Sequence, residues 1–257
     1  MDPAVLRDDM VDGVAHALDG LDERLGTAMR TVPRQSFVED RPYDNRADDH
    51  AGSDVLAPET VARLLDALDA GSEDDVLVVG VGVGYTAALL AELVGERRVH
   101  AVDIVRRLVL DARHNLGEAG YDGVLVDRRD GADGLPEYAP FDRVLVEAAA
   151  VRPPRSLLDQ LAPDGRLVMP MGLPEAALVA VEADDSPDGF RIVEEFGTAT
   201  FAPLLVDGEQ PGGMARNRTE REDREFEQQG YFAPTGWEQN WIDWDDRLDG
   251  GRGHRRR

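Results

Sequence analysis

The residues with the clearest chemical use lie between positions 76 and 86, VLVVGVGVGYT. An apolar run enters Gly80, Gly82 and Gly84, spaced G-x-G-x-G, and TAALLAELVG follows at helical apolar spacing. A strand, a glycine turn and a helix in this order present backbone N–H groups to a nucleotide-containing cofactor. Glycine lets the ligand approach because it has no Cβ. A dinucleotide fingerprint, G-x-G-x-x-G, would need a last glycine at position 85, which is Tyr85. The spacing present suits S-adenosylmethionine, which has no pyrophosphate to seat on a helix N-terminus. Two acidic positions extend the set. Asp103 closes the next apolar run, where a carboxylate can accept both ribose hydroxyls. Asp130-Gly131 follows the third run, where a side-chain oxygen and a backbone amide can address an adenine edge.

The elements that must hold these residues follow from periodicity. Leu6, Met10, Val11, Val14 and Leu18 form one stripe, which predicts a helix over 3–18. A second helix is expected over 22–31, closed by Pro33. Residues 34–55 are charged and irregular and read as a loop or long arm. Pro58 opens an amphipathic helix at a position where proline is tolerated. Strands are then expected over 76–80, 98–103, 123–127, 142–147 and 166–171, with helices over 106–118 and 154–161. This alternation predicts a doubly wound, mostly parallel, Rossmann-like α/β sheet with helices on both faces. After Gly172 the stretches 176–184, 190–196 and 198–206 read as strands with no helix between them, so antiparallel additions are expected at the C-terminal end. Three regions result: N-terminal helices and arm (1–57), cofactor-binding core (58–206), and an acidic, aromatic extension with a basic tail (207–257). In the extension, Trp237, Trp241 and Trp244 share one face of a short helix, which would dock on the chain's own body or on a protein partner.

Composition narrows the classes. The chain has 257 residues and 42% hydrophobic content, enough for one sizeable domain with appendages. Its net charge is −24, from 52 acidic and 28 basic residues, and every basic residue is Arg. A duplex-binding protein shows a basic face, so this balance argues against nucleic acid as a partner. An acidic surface without Lys reads as adaptation to a salt-rich cytoplasm, where the Debye length is about 3 Å at 1 M and self-repulsion is screened. The absence of Cys excludes disulfides, thiolate metal sites and Cys nucleophiles. His16, His50, His100, His114 and His254 form no ligand pair, so no metal site is expected. His50 falls in the arm within reach of a ligand, and His100 reads as a strand residue satisfied in or near the core. Glu92 and the glycines argue against a membrane span over 76–95, and the N-terminus lacks the pattern of a secretory signal. A cytoplasmic protein with no membrane partner is expected.

With its flanks included, the chain resembles the protein-L-isoaspartate O-methyltransferase family. The likeness is carried by LDERLGTAMRTVPRQSFVED (21–40), GSDVLAPETVARLLDAL (52–68), the glycine-turn segment (76–95), ARHNLGEAGYDGV (112–124), DGADGLPEYAPFDRVLVEAAA (130–150), LLDQLAPDGRLVMPMG (157–172) and FAPL (201–204). The V-P-R-x-x-F-V and D-G…A-P-F-D…A-A-A segments point to that family in particular. The resemblance implies a seven-stranded methyltransferase sheet, S-adenosyl-L-methionine as cofactor, and repair of damaged, isoaspartyl-containing proteins or peptides by carboxyl methylation. A carboxylate is already anionic at neutral pH, so positioning, not general-base catalysis, is the main task.

Departures from the family pattern fall at functional positions. The family's G-Q-T-I-S-x-P loop is Gly52-Ser53-Asp54-Val55-Leu56-Ala57-Pro58 here, so Leu56 stands at the family's active-site Ser, with Ser53 as a nearby hydroxyl. Asp54 replaces Thr, Val78 replaces a Glu before the glycine turn, and Glu147 replaces a Thr after the fourth core strand. The resemblance assigns Leu56 and Ser53 to catalysis and Asp54, Val55 and Glu147 to the substrate. Gly80, Gly82, Gly84, Tyr85, Asp103, Asp130 and Gly131 go to the cofactor. If Asp54 and Glu147 both line the mouth, each repels a carboxylate substrate by roughly 1 kcal/mol per close exposed pair. The alternative is an S-adenosylmethionine-binding module that methylates another acceptor or none. An RNA methyltransferase, which would use the Arg-rich tail, runs against the acidic surface.

Overall fold

The computed structural model describes residues 2–50, 53–172 and 176–205, with residues 53 and 54 described by their backbone alone. Two capped helices open the chain. In α1 (Pro3–Ala17) the Asp2 carboxylate accepts from the Ala4 N–H at 3.0 Å, and in α2 (Glu23–Thr31) Asp22 accepts from Leu25 N–H at 3.0 Å. Each cap satisfies a donor that the first helical turn would leave orphaned. Their apolar faces, Met10, Val11 and Val14 with Leu25, Ala28 and Met29, join one hydrophobic cluster.

The charged stretch that reads as a loop or long arm contains more order than expected. A 3₁₀ turn spans Arg34–Ser36, and β1 (Asp48–His50) pairs antiparallel with β2 (Ser53–Val55). Such short strands, three residues each and outside the main sheet, carry no alternation to detect. Next come α3 (Pro58–Leu68), β3 (Val76–Val79), α4 (Tyr85–Val94), β4 (Val99–Asp103), α5 (Arg106–Ala119), β5 (Leu125–Arg128), β6 (Phe141–Val146), α6 (Arg155–Asp159) and β7 (Leu161–Met171). The last strands among the described residues are β8 (Ala176–Ala183) and β9 (Phe190–Ala199).

Among the described residues the main sheet has seven strands in the order β5-β4-β3-β6-β7-β8-β9, parallel through β7 and antiparallel in the last two pairings. This is the doubly wound sheet the alternation predicts. β3 is buried along its whole length because both faces are covered. Side chains alternate: Val76 and Val78 pack with α3 and α4, whereas Leu77 and Val79 pack with Leu157 and Leu158 of α6. From β3 the chain winds to β4 and β5 on one side, then returns to β6 on the other. The carboxyl ends of β3 and β6 therefore flank a topological switch point, where open α/β sheets form their ligand crevice.

Two expectations about the C-terminal strands need correction. The strands over 190–196 and 198–206 are instead one continuous β9, which passes Gly197 at φ +87° through a bulge opposite β8. Residues 200–205 then leave the sheet. The strand over 166–171 begins earlier, at Leu161, because A-P-D-G forms a bulge against β6, with Asp164 at φ +61°, and is not a terminating turn. Both errors share a cause: glycine marks a bulge as readily as an end. Among the described residues no helix is long and apolar enough to cross a membrane. Trp237, Trp241 and Trp244 lie outside the described residues.

Candidate active site

The glycine turn between β3 and α4 is held from below and behind. Gly80 and Val81 donate their N–H groups to the Val102 carbonyl of β4 at 2.9 and 3.1 Å. Gly84, at φ +95°, sits so close to α5 that a Cβ would lie 3.3 Å from Leu116 Cγ and 3.4 Å from Ala112. Glycine there fixes how near α5 approaches. The Gly82 N–H donates to Asp103 Oδ2 at 3.1 Å, and the Val105 N–H donates to Oδ1 at 2.9 Å. Asp103 is thus engaged by backbone on both oxygens. Burial raises its carboxyl above the usual range, and the three amide bonds it accepts counter that.

Above the strand ends lies a cavity. Its floor is Val79 to Val83, one wall is Asp103 to Val105 with Leu108, and another is Glu147 and Ala148. Val55 and Leu56 of the arm and Ala202 to Leu205 complete it, with Gly131 between. The last segment is tied down by Ala149, whose N–H donates to Ala202 O and whose carbonyl accepts from Leu204 N–H, both at 2.8 Å. Gly131 is required by close approach, since a Cβ there would lie 2.3 Å from Val79 Cγ1. Asp130 does not line the cavity; its Oδ1 accepts from Ala132 N–H at 2.9 Å and shapes the turn.

The remaining expected positions separate in the same way. Leu56 is buried on the cavity wall and presents no hydroxyl there. Ser53 and Asp54 pair in register with His50 and Asp49 in the hairpin. Val78 is fully buried in the core and does not line the cavity. His50 Nε2 lies 2.9 Å from Asp111 Oδ2, which ties the hairpin to α5. His100 is less satisfied than expected: it packs at a tilt against Tyr138 with centroids 4.6 Å apart, while its Nδ1 has no hydrogen-bond partner. Burial pushes the His100 imidazole down, against the pull of Asp75.

Glu147 stands at the carboxyl end of β6, where its N–H donates to the Val79 carbonyl at 2.8 Å. Its Oε1 is buried and has no hydrogen-bond partner. Burial first, and the charge of Asp103 second, push its carboxyl up to about 7, with the Thr86 hydroxyl opposing.

Arg34 is the residue that sequence reasoning overlooked. It is 2% exposed and lines the cavity. Nε donates to Pro42 O and Nη2 to Leu56 O, both at 2.8 Å, and Cζ lies 4.4 Å over the Tyr85 ring. Among the described residues no carboxylate forms an ion pair with it, and burial lowers its guanidinium pKa. Tyr85 is buried edge-on to Phe37, and its hydroxyl has no hydrogen-bond partner. The available signal was the segment VPRQSFV, an arginine between apolar residues. Thr86 and the Ala202–Leu205 wall were missed as well.

The chain's sequence and fold match known proteins. The sequence model of the family "Protein-L-isoaspartate(D-aspartate) O-methyltransferase (PCMT)" matches residues 10–210. The protein-L-isoaspartate O-methyltransferase of Aeropyrum pernix is 44% identical over 194 residues, covering 71% of this chain and 72% of that protein. That of Methanococcoides burtonii is 39% identical over 196 residues, covering 73% and 94%. A crystal structure from Plasmodium falciparum of a putative enzyme of this name, in complex with S-adenosyl-L-homocysteine, shares the fold with a TM-score of 0.67 at 19% identity, covering 77% of this chain and 97% of that one. The chain belongs to the protein-L-isoaspartate(D-aspartate) O-methyltransferase family.

Proposed function

We infer that this protein is an S-adenosylmethionine-dependent carboxyl methyltransferase that acts on isoaspartyl residues of damaged proteins or peptides. The observation that carries the reading is convergence. Segments far apart in sequence, at 34, 55–56, 80–86, 103–105, 131, 147 and 202–205, meet around one cavity at the switch point of the sheet. The cavity residues fit the cofactor. A nucleoside is suited by apolar walls (Val79, Ile104, Leu108, Leu204) with an acid, Asp103, at the strand end. Gly80, Gly82 and Gly131 remove side chains from the approach, Gly84 brings α5 in, and the buried ring of Tyr85 supports the turn. Asp130 acts here through the turn that presents Gly131.

When bound, S-adenosylmethionine supplies a methyl group on a sulfonium sulfur, which a carboxylate oxygen of the acceptor takes. The chain's own task is to place that oxygen and exclude water. Val55 and Leu56 form an apolar wall on the arm side, and Arg34 holds the Leu56 carbonyl in place. Arg34 also supplies positive charge beside a substrate that arrives as an anion. No residue is required as a strong base.

The test is methyl transfer from labelled cofactor to an isoaspartyl peptide in molar KCl, beside the same peptide with ordinary aspartate. Labelling of the isoaspartyl peptide alone is expected; labelling no higher than a peptide-free blank overturns the reading. Leu56, which lacks the hydroxyl of the family's Ser, favours a second reading in which the cofactor binds and no isoaspartyl transfer follows.

We further infer from the Lys-free composition that the protein works in a salt-rich cytoplasm. The same acid excess supports protein, not nucleic acid, as the macromolecular substrate. The Trp237, Trp241 and Trp244 stripe supports a docking role for the tail, on this chain or on a protein partner, which deletion of 207–257 would expose.

A further inference from the structure

Glu147 is the acidic side chain on the cavity wall with one oxygen, Oε1, that lacks a donor, the Thr86 hydroxyl serving the carboxylate elsewhere. Asp103, the other acid there, accepts backbone N–H bonds on both oxygens, whereas Oε1 of Glu147 is buried with no partner. Arg34, the cation among the cavity-lining residues, forms no ion pair with it. Arg34 Nε and Nη2 are spent on the Pro42 and Leu56 carbonyls, its Nη1 is buried without a partner, and among the described residues Glu147 takes part in no ion pair. The rest of the wall around it is largely apolar, where an unpaired carboxylate is costly. A cation arriving in the same cavity would satisfy it.

We propose that Glu147 is the counter-charge for the cationic methionine end of the cofactor, its free oxygen facing the ammonium or the sulfonium. The inference rests on the reading that S-adenosylmethionine is the cofactor. It moves Glu147 from the substrate side of the site, where it would repel a carboxylate, to the cofactor side, where its charge is useful. A consequence is proton release. Without ligand the Glu147 carboxyl titrates near 7. A cation beside it favours the ionised form, so binding expels the proton from the fraction still protonated. Asp103, Arg34 and Tyr85 are the other titratable groups on this wall. Asp103 raises the Glu147 value, and the Tyr85 phenol is itself pushed up by burial, away from neutrality.

The test is titration calorimetry of the full chain in molar KCl, with S-adenosylmethionine and S-adenosylhomocysteine. It is run at pH 6, 7 and 8 in two buffers of different ionisation enthalpy. The wild type is expected to release protons near pH 7 and to bind S-adenosylmethionine more tightly as pH rises. Glu147→Gln is expected to bind it roughly tenfold or more weakly at pH 8, with that proton release gone. Glu147→Asp is expected to keep part of both. An equal loss with S-adenosylhomocysteine, which has the ammonium and no sulfonium, places the contact at the ammonium; a smaller loss places it at the sulfonium. An E147Q protein with the wild-type melting temperature at pH 6 and unchanged affinity and proton release overturns the inference alone. A wild type that binds no S-adenosylmethionine overturns the cofactor reading and this inference with it.

Discussion

Single residues in this site are constrained by what touches them, and the constraint differs from one to the next. A methyl group at Gly131 would fall 2.3 Å from Val79 Cγ1 on the cavity floor, so a core side chain must shift. At Gly82 a methyl group meets nothing within 4 Å, and the difficulty is only its φ of +53°. Gly131→Ala is therefore expected to cost about 1–3 kcal/mol, with roughly tenfold weaker cofactor binding. Gly82→Ala is expected to cost about 1 kcal/mol. Urea unfolding and calorimetry on the two variants check the order. Glu147 makes a prediction in pH. Its carboxyl rises from 4.5 to about 7 on folding, so between those values the unfolded chain has lost a proton that the folded one keeps. Ligand-free stability is then greatest below that window and falls as pH rises through about 7, by up to roughly 3 kcal/mol. Glu147→Gln should flatten that part of the curve, as read by urea midpoints at pH 5.5 and 8. None of this was legible in sequence: position 147 was identifiable as unusual, but the missing donor depends on which groups surround it.

At the scale of elements, the arm is fastened at two points. Arg34 ties its start to its end through the Pro42 and Leu56 carbonyls, and His50 ties its hairpin to Asp111 on α5. The Arg34 side chain is buried, whereas the His50 and Asp111 side chains are about a third exposed. Arg34→Met should therefore destabilise the fold by about 2–4 kcal/mol by stranding two carbonyls and an aromatic face. His50→Ala should change stability by less than about 1 kcal/mol. It should raise KM for an isoaspartyl peptide several-fold with kcat little altered, which steady-state kinetics would read. The core strands and helices announced themselves through periods of 2 and 3.6, and their order gave the switch point. The hairpin escaped notice because its strands are three residues long and charged. The role of Arg34 escaped because its partners lie 8, 22 and 51 residues further along the chain, contacts that no local pattern encodes.

For the whole molecule the dominant quantity is a net charge of −24 on 257 residues. Self-repulsion of that size is strongest where screening is weakest. Raising KCl from 0.2 to 2 M is expected to raise the melting temperature by several degrees, with most of the gain gone once the repulsion is screened. A melting temperature unaffected by KCl would remove the argument from charge to habitat. The composition that carries this expectation was fully legible in sequence, whereas the course of residues 200–205 was not. F-A-P-L looks like the end of a strand and instead crosses back to Ala149 to become the cavity's last wall. That crossing has a consequence for synthesis. A chain still on the ribosome can complete its glycine turn and its parallel strands while one side of the cavity is missing. A nascent protein should therefore acquire tight cofactor binding only when residue 205 has cleared the exit tunnel, long after the turn itself has folded.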